Sequence, residues 1–355
     1  MPTFTPETLR KLTCRVLTAA GADAEEATVV AELLVRSHLV GHDSHGVLRI
    51  PQYVDMIRAG HLRPGADVEV LREAPAMAVL DGGWGFGQVV ATRAVRLAIG
   101  KAREVGVAVV TARRCGHVGR LGDYVEMAAA EQMVGMATVN GHGGWPAQAP
   151  YGGRERRLSA NPVAFGFPAG SRPPVVVDIT SSVVAEGKLR LKRNRDEAVP
   201  EGWLIDAQGR PTTDPHAYYA DPPGALLPFG GSVAHKGYGL ALTVDLLSGA
   251  LSGAGCTGSH LDHPGNGLFV AVMDVQRFLP LDEYEAEVDA FLARIRSCPP
   301  AEGFTEVLIP GEPEARQVEE RRRTGVFVDD TTLEHILSSA RQVGAVVGDL
   351  VALAR

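Results

Sequence analysis

Residues 81–90 read DGGWGFGQVV, with Gly83, Gly85 and Gly87 placed just ahead of an apolar, helix-like run. In a doubly wound nucleotide-binding fold this junction would carry G-x-G-x-x-G, whose glycines let the backbone approach a pyrophosphate at a helix N-terminus. The spacing fails in either frame. Counting from Gly83 and Gly85 the third position is Gln88, and counting from Gly85 and Gly87 it is Val90. No Walker-type phosphate loop occurs elsewhere, so glycine spacing names no phosphate cradle and the chain is read as something other than a Rossmann protein.

Outward from this stretch the texture differs on the two sides. Upstream, the first 60 residues read as helices: Thr5 caps a helix with Pro6 at its first position, Asp23 caps the run AEEATVVAELLVRSHLV, and Gly41 stops it. A third helical stretch, SHGVLRIPQYVDMIRAG, is expected to break or kink at Pro51 and to end at Gly60. Downstream come short β-rich runs (VEVL, MAVL, VAVVTA, GMATV, AFGF, PVVVDI), with the helical segment VATRAVRLAIGKAREV among them. Residues 182–229 are rich in turns, HKGYGLALTVDLLSGALSGAG reads as a buried helix, NGLFVAVMDV as a strand, and the tail as helices again. The expectation is a mixed α/β core over 67–276 carrying cofactor- and substrate-binding segments, with 1–66 and 277–355 joined as one helical domain from both termini.

The 355 residues carry 35 Lys+Arg against 42 Asp+Glu, a formal charge of −7, which argues against nucleic acid as a partner. With 45% hydrophobic residues the chain is long enough to bury a core without disulfides. Cys14, Cys115, Cys256 and Cys298 stand far apart, with no C-x-x-C, and are read as buried or free thiols. The polar N-terminus lacks the apolar core of a secretory signal and no stretch is long and apolar enough to span a bilayer. The reading is a cytoplasmic protein with no membrane partner.

The densest polar cluster is Gly41-His42-Asp43-Ser44-His45-Gly46, with Arg49 four residues after His45 and Tyr53 four further on, which a helix would place on one face. An imidazole that titrates near neutrality passes protons, and a guanidinium fork holds a carboxylate in two parallel bonds. That pairing suits a 2-hydroxy or 2-oxo acid, although a helix-capping His45 and a surface ion pair at Arg49 would serve the same pattern. A serine hydrolase built on Ser44 lacks a G-x-S-x-G elbow. The pairs His42/His45 and His260/His263 lack the Glu of a zinc-protease helix, and no metal is expected. His117, in RRCGHVGRLGDY, is placed to be presented at a strand end, and His235-Lys236 opens a helix-like run where an anion could be met.

Taken together, DSHGVLRIPQYVDMIRAG, DGGWGFGQVVA, GHVGRLGDY, LSANPVAFGFP, VVDITSSVVAEGK, VPEGWLIDAQGRPTTDP, LLPFGG, HKGYGLAL and IPGEPE resemble, in order and over nearly the whole chain, the malate/L-lactate dehydrogenase family that lacks a Rossmann domain. Its members include sulfolactate, ureidoglycolate and diketogulonate enzymes and piperideine-2-carboxylate reductases. The resemblance implies a sulfolactate-dehydrogenase-like α/β fold with a largely antiparallel cofactor-binding sheet flanked by helices. It implies NAD or NADP as cofactor, NAD ahead, a small carboxylate substrate and a homodimer. By position, His45 resembles the proton donor, Ser44 and Asp178 the relay that orients it, and His117 the acid/base of the ureidoglycolate branch. Arg49 resembles the carboxylate clamp, with Tyr53 and Asn161 beside the substrate. Val176, Val177, Asp178, Ile179, Thr180, Ser181, Ser182, His235, Lys236, Gly311, Glu312 and Pro313 resemble the cofactor contacts. The implied activity interconverts a 2-hydroxy acid and its 2-oxo acid; the alternatives are an imine reductase and a catalytically silent small-acid binding protein. Two departures bear on substrate choice: Ala160 stands where many relatives carry Thr, and the longer segment at 140–153 brings His142 and Trp145 toward the expected pocket.

Overall fold

Seven strands make one sheet: β1 (Glu69–Ala74), β2 (Met77–Gly85), β3 (Val107–Cys115), β4 (Met133–His142), β5 (Val163–Phe167), β6 (Val175–Ile179) and β7 (Gly265–Asp274). Their spatial order is β1-β2-β3-β7-β4-β5-β6. Only β2 and β3 run parallel, joined by helix α4 (Gly87–Val105) as the crossover that a parallel pair requires; every other pairing is antiparallel. The computed structural model describes every residue except Met1, Trp145, Leu261 and Arg355, so the expectation for Trp145 lies outside the described residues.

One core lies along this sheet, where Leu80, Val110, Ala112, Ala137, Leu268 and Val270 of the central strands meet the Ala-rich face of α4. A second is built by the chain ends. Helices α1 (Pro6–Ala19), α2 (Ala24–Leu39), α3 (Ile50–Arg58) and α10 (Asp330–Gln342) bury Leu12, Val16, Leu34, Ile50, Tyr53 and Ile336 against one another, and Thr3–Phe4 pairs with Val326–Phe327. The helix ends follow the sequence: the Thr5 hydroxyl accepts from Thr8 N at 3.1 Å, and Asp23 and Glu26 close a reciprocal capping box. Helix α8 (Leu281–Arg296) departs from the expected terminal domain, because its Leu292 packs on Ala169 and Ile309 beyond the sheet edge.

Pro51 corrects a second expectation. It sits at the first turn of α3, where its missing N–H costs nothing, and DSHGVLR forms two 3₁₀ turns, Asp43–His45 and Val47–Arg49, ahead of it. The run from His235 is only half buried. Helix α7 (His235–Val244) passes into π-turns over Asp245–Leu251, and Leu242, Leu246 and Leu251 are exposed. Residues 182–229 hold helix α6 (Glu186–Asn194) and a small three-stranded sheet of Leu204–Ile205, Pro211–Thr212 and Ala225–Leu226.

Candidate active site

The 3₁₀ turn carrying His45 lies where the terminal helices meet the end of β3. Gly46 is needed there, because a Cβ would collide with the His38 imidazole beneath it. Asp43, at the start of the turn, accepts from Arg321 of helix α9 (Glu312–Thr324) and lies 3.1 Å from His38 Nδ1. Burial alone would raise the Asp43 carboxyl, but these hydrogen bonds hold it down to about 2, so the turn is pinned by an ionised carboxylate.

His45 Nδ1 is 3.2 Å from His117 Nε2, with the two rings nearly parallel at an interplanar angle of 6°. His117 Nδ1 is 2.8 Å from the Tyr53 hydroxyl, which accepts from Gln88 Nε2 at 2.6 Å. Four side chains from four segments thus form one hydrogen-bonded chain. His45 Nε2, at its open end, has no protein partner among the described residues and is not sealed from solvent. Burial, then Arg49, His42 and Arg120, push the His45 imidazole down to about 3; burial, Arg49 and His45 hold His117 well below the ordinary range. Both rings are neutral at pH 7.

The glycines of residues 81–90 explain how His117 reaches this place. A Cβ on Gly87, the first residue of α4, would collide with the carbonyl oxygens of Gly116 and His117, and Gly116 N donates to Gly85 O at 2.9 Å. They admit a crossing chain, where a Rossmann fingerprint admits a pyrophosphate.

Arg49 donates from Nε to Ser44 O and from Nη1 to Gln52 Oε1, each at 2.7 Å, and its Nη2 has no partner among the described residues. It presents a fixed guanidinium beside His45 with one donor edge to spare. The Ser44–Asp178 relay takes another form. Asp178 Oδ2 accepts from Gly122 N at 2.7 Å and lies 3.8 Å from Arg120 Nε, and no hydrogen bond among the described residues joins it to Ser44 or His45. Arg120, only 2% exposed, also binds Asp123 at 2.8 Å and Glu126 at 2.9 Å, so Asp178 belongs to a buried ion network beside the histidines.

Two expected substrate contacts are corrected. Tyr53, 1% exposed, stands behind His117 and orients it. Asn161 is fully buried with its amide spent on Ala241 O and Asp245 Oδ2, both at 2.8 Å, and on Ser159. His142 does not reach the site either; it is 1% exposed and packs edge-on to Trp84.

The proposed cofactor segment is the free edge of the sheet, since β6 pairs only with β5. At one end the Ile309–Pro313 turn meets it, with Val176 N donating to Pro310 O at 3.1 Å. Beyond the other end, Phe229 N donates to Ser181 O at 3.0 Å, which brings Gly230, Gly231 and the exposed His235 and Lys236 at the α7 N-terminus alongside. Ile179 is 43% exposed, and Val177 and Thr180 are half-buried. Ser181 and Ser182 offer nothing outward: both are buried, with hydroxyls donating to Ala160 O at 2.9 Å and Val184 O at 2.8 Å. Val176 is likewise buried.

Sequence reasoning missed Gln88 and Arg120 as site residues. Gln88 had a signal: on α4 the buried positions Gln88, Ala91, Val95, Ala98 and Ala102 form one stripe, and it is the only polar member. Arg120 lay inside a quoted motif, and nothing in its spacing marks a buried arginine.

Residues 4–337 match the family model described as malate/L-lactate dehydrogenase. The chain is 37% identical to the L-sulfolactate dehydrogenase of Methanocaldococcus jannaschii over 98% of both chains. The structure of malate dehydrogenase from Pyrococcus horikoshii superposes with a TM-score of 0.87 at 36% identity, covering 97% of this chain and 96% of that one. The Δ1-piperideine-2-carboxylate reductase of Pseudomonas syringae gives a TM-score of 0.83 at 28% identity, covering 96% of this chain and all of that one.

Proposed function

Because the chain belongs to the malate/L-lactate dehydrogenase family, we propose that it interconverts a small 2-hydroxy acid and its 2-oxo acid with a nicotinamide cofactor, His45 exchanging the proton. The observation that carries this reading is the paired arrangement of His45 and Arg49: an uncharged imidazole with an open Nε2, beside a guanidinium held by two hydrogen bonds with Nη2 to spare. Arg49 takes the substrate carboxylate and sets its orientation. His45 Nε2 takes the hydroxyl proton during oxidation and returns it to the carbonyl oxygen during reduction. A bound substrate carboxylate offsets the positive charge of Arg49, one of the influences that hold the His45 imidazole low, and so brings it toward the range a proton-exchanging group needs.

The edge of β6 fits the cofactor that the family implies. It offers an open strand edge, an apolar side chain at Ile179, and the cation of Lys236 at a helix N-terminus beside two glycines that can meet phosphate. Val177, Ile179, Thr180, His235, Lys236 and Gly311 would hold it. When bound there, a nicotinamide supplies or accepts the hydride. Among the described residues no helix is long and apolar enough to cross a membrane. A second copy of the chain would cover the exposed Leu242, Leu246 and Leu251; light scattering tests that placement through a dimer mass that falls on Leu246→Glu.

The test is the absorbance of reduced nicotinamide with NADH and then NADPH, against pyruvate, oxaloacetate and larger 2-oxo acids, with a cyclic imine in parallel. Oxidation of either cofactor by a 2-oxo acid supports the reading and names the nucleotide. Turnover of the imine alone would replace it with the reductase reading, and silence with bound cofactor would leave a small-acid binding protein.

A further inference from the structure

We propose that Gln88 is a positioning residue that decides, through Tyr53 and His117, which nitrogen of His45 carries the proton. The proposal takes His45 as the proton-exchanging group from the function above; the hydrogen-bond directions do not depend on it.

A carboxamide nitrogen donates and cannot accept. With Gln88 Nε2 donating to the Tyr53 oxygen at 2.6 Å, the single Tyr53 O–H is left to donate to His117 Nδ1 at 2.8 Å. A neutral His117 that accepts at Nδ1 carries its proton on Nε2, and this donates to His45 Nδ1 at 3.2 Å. His45 then holds its own proton on Nε2, toward the open side. In this polarity it offers a hydrogen bond to the carbonyl oxygen of a 2-oxo acid, and it cannot accept the proton of a hydroxyl.

Turning the carboxamide over inverts every bond. Tyr53 then donates to Gln88 Oε1, His117 Nδ1–H donates to Tyr53, and His45 Nδ1–H donates to His117 Nε2. His45 Nε2 is bare and takes the hydroxyl proton, becoming imidazolium as the hydride leaves the adjacent carbon for the oxidised nicotinamide. The two polarities hold the same number of protons and no net charge, so neither places a cation where burial penalises cationic histidine. Gln88 is 1% exposed, and its Oε1 is buried with no partner among the described residues, which leaves the carboxamide unclamped at its far end. Of these four hydrogen-bonded side chains, Gln88 is the one whose carboxamide exchanges a donor for an acceptor at the same position by a half-turn.

The experiment uses the full-length protein with ¹⁵N-labelled histidine at pH 7 without ligands. The signals of His45 and His117 are assigned by their loss in His45→Gln and His117→Gln, and the ¹⁵N shifts report which ring nitrogen is protonated. Both residues are expected to be neutral and protonated mainly on Nε2. Gln88→Glu presents an ionised acceptor and is expected to switch both protons to Nδ1, whereas Gln88→Met leaves mixed tautomers. In turnover, Gln88→Met is expected to lower kcat about tenfold or more with little change in KM for the 2-hydroxy acid. Histidines of the wild-type protein protonated mainly on Nδ1, or unmoved by Gln88→Glu, would overturn the proposal, and the first of these needs no variant at Gln88 to fold. A tautomer switch in a protein that turns over no hydroxy acid supports this inference and removes the function above; activity without a switch does the reverse.

Discussion

Two groups of crowded histidines lie in this molecule, and they are held in opposite ways. At the open turn, His45 and His117 are joined through their ring nitrogens into a chain ending at Tyr53 and Gln88. Around Trp84, at the C-terminal end of β2, His61, His142, His260 and His263 meet through their faces and edges. His263 stacks on Trp84 with ring centroids 3.6 Å apart, and His142 stands edge-on to His260 at 5.9 Å. Neither nitrogen of the buried His142 has a hydrogen-bond partner among the described residues, and no three of the described His, Cys, Asp and Glu side chains are disposed to hold a metal ion. Burial keeps His45 and His117 neutral in the first group and lowers His142 and His263 in the second, with His142 pushed down to about 4. The difference teaches that burial makes a histidine neutral, whereas directed partners make it able to take or give a proton at a chosen atom.

The sharpest way to break this comparison is to remove one imidazole from each group. His45→Gln should lower kcat by about 10²- to 10⁴-fold, the range of general acid–base catalysis, while His142→Leu should leave kcat within a few-fold. Comparable losses in both would mean that the second group also serves the reaction. His117→Gln should fall between them, because it leaves His45 in place but frees its ring.

Arg49 tests the other half of the site. Arg49→Lys keeps the charge but loses the fork and the bond that Nε makes to Ser44 O. The expected result is a decrease in kcat/KM of about 10- to 100-fold, equivalent to ~1.4–2.8 kcal/mol, with cofactor affinity unchanged. Equal weakening of nicotinamide binding, measured by titration without substrate, would move Arg49 out of the substrate site.

How far the sequence disclosed this site depends on what each residue's role rests on. The fold class followed from the resemblance that the quoted segments carry in their order, and the failed spacing at Gly83–Val90 agreed with it. His45 and Arg49 were legible because their neighbours are near in sequence. The partnership of His45 with His117 spans 72 residues and is made by a chain crossing at Gly87, which no periodicity reports. Asn161 was misread for a related reason. Its left-handed backbone, with φ of 41°, turns the side chain inward to Asp245, where an extended segment would have aimed it elsewhere.

The smaller effects concern stability, and they carry a sign. A histidine that stays neutral in the folded protein while the unfolded chain protonates near 6.5 makes unfolding take up a proton. Its contribution is complete above about pH 6.5 and falls as the pH drops toward the folded value, by up to about 1.4 kcal/mol per pH unit. His45, with a folded value of about 3, and His142, at about 4, both act in this direction. Asp123, pushed up to about 6 by burial, acts in the opposite one between pH 6 and 4. Differences between variants therefore isolate each group where the total slope would not. His142→Leu should unfold in denaturant within about 1 kcal/mol of the wild-type at pH 7, because the imidazole it removes has no hydrogen bond to lose and the replacement is apolar and of similar size. At pH 5 the variant should be the more stable of the two, since it no longer takes up that proton on unfolding. A variant destabilised by several kcal/mol at pH 7 would show that the second group holds its nitrogens in bonds after all, and the contrast with His45 and His117 would fall.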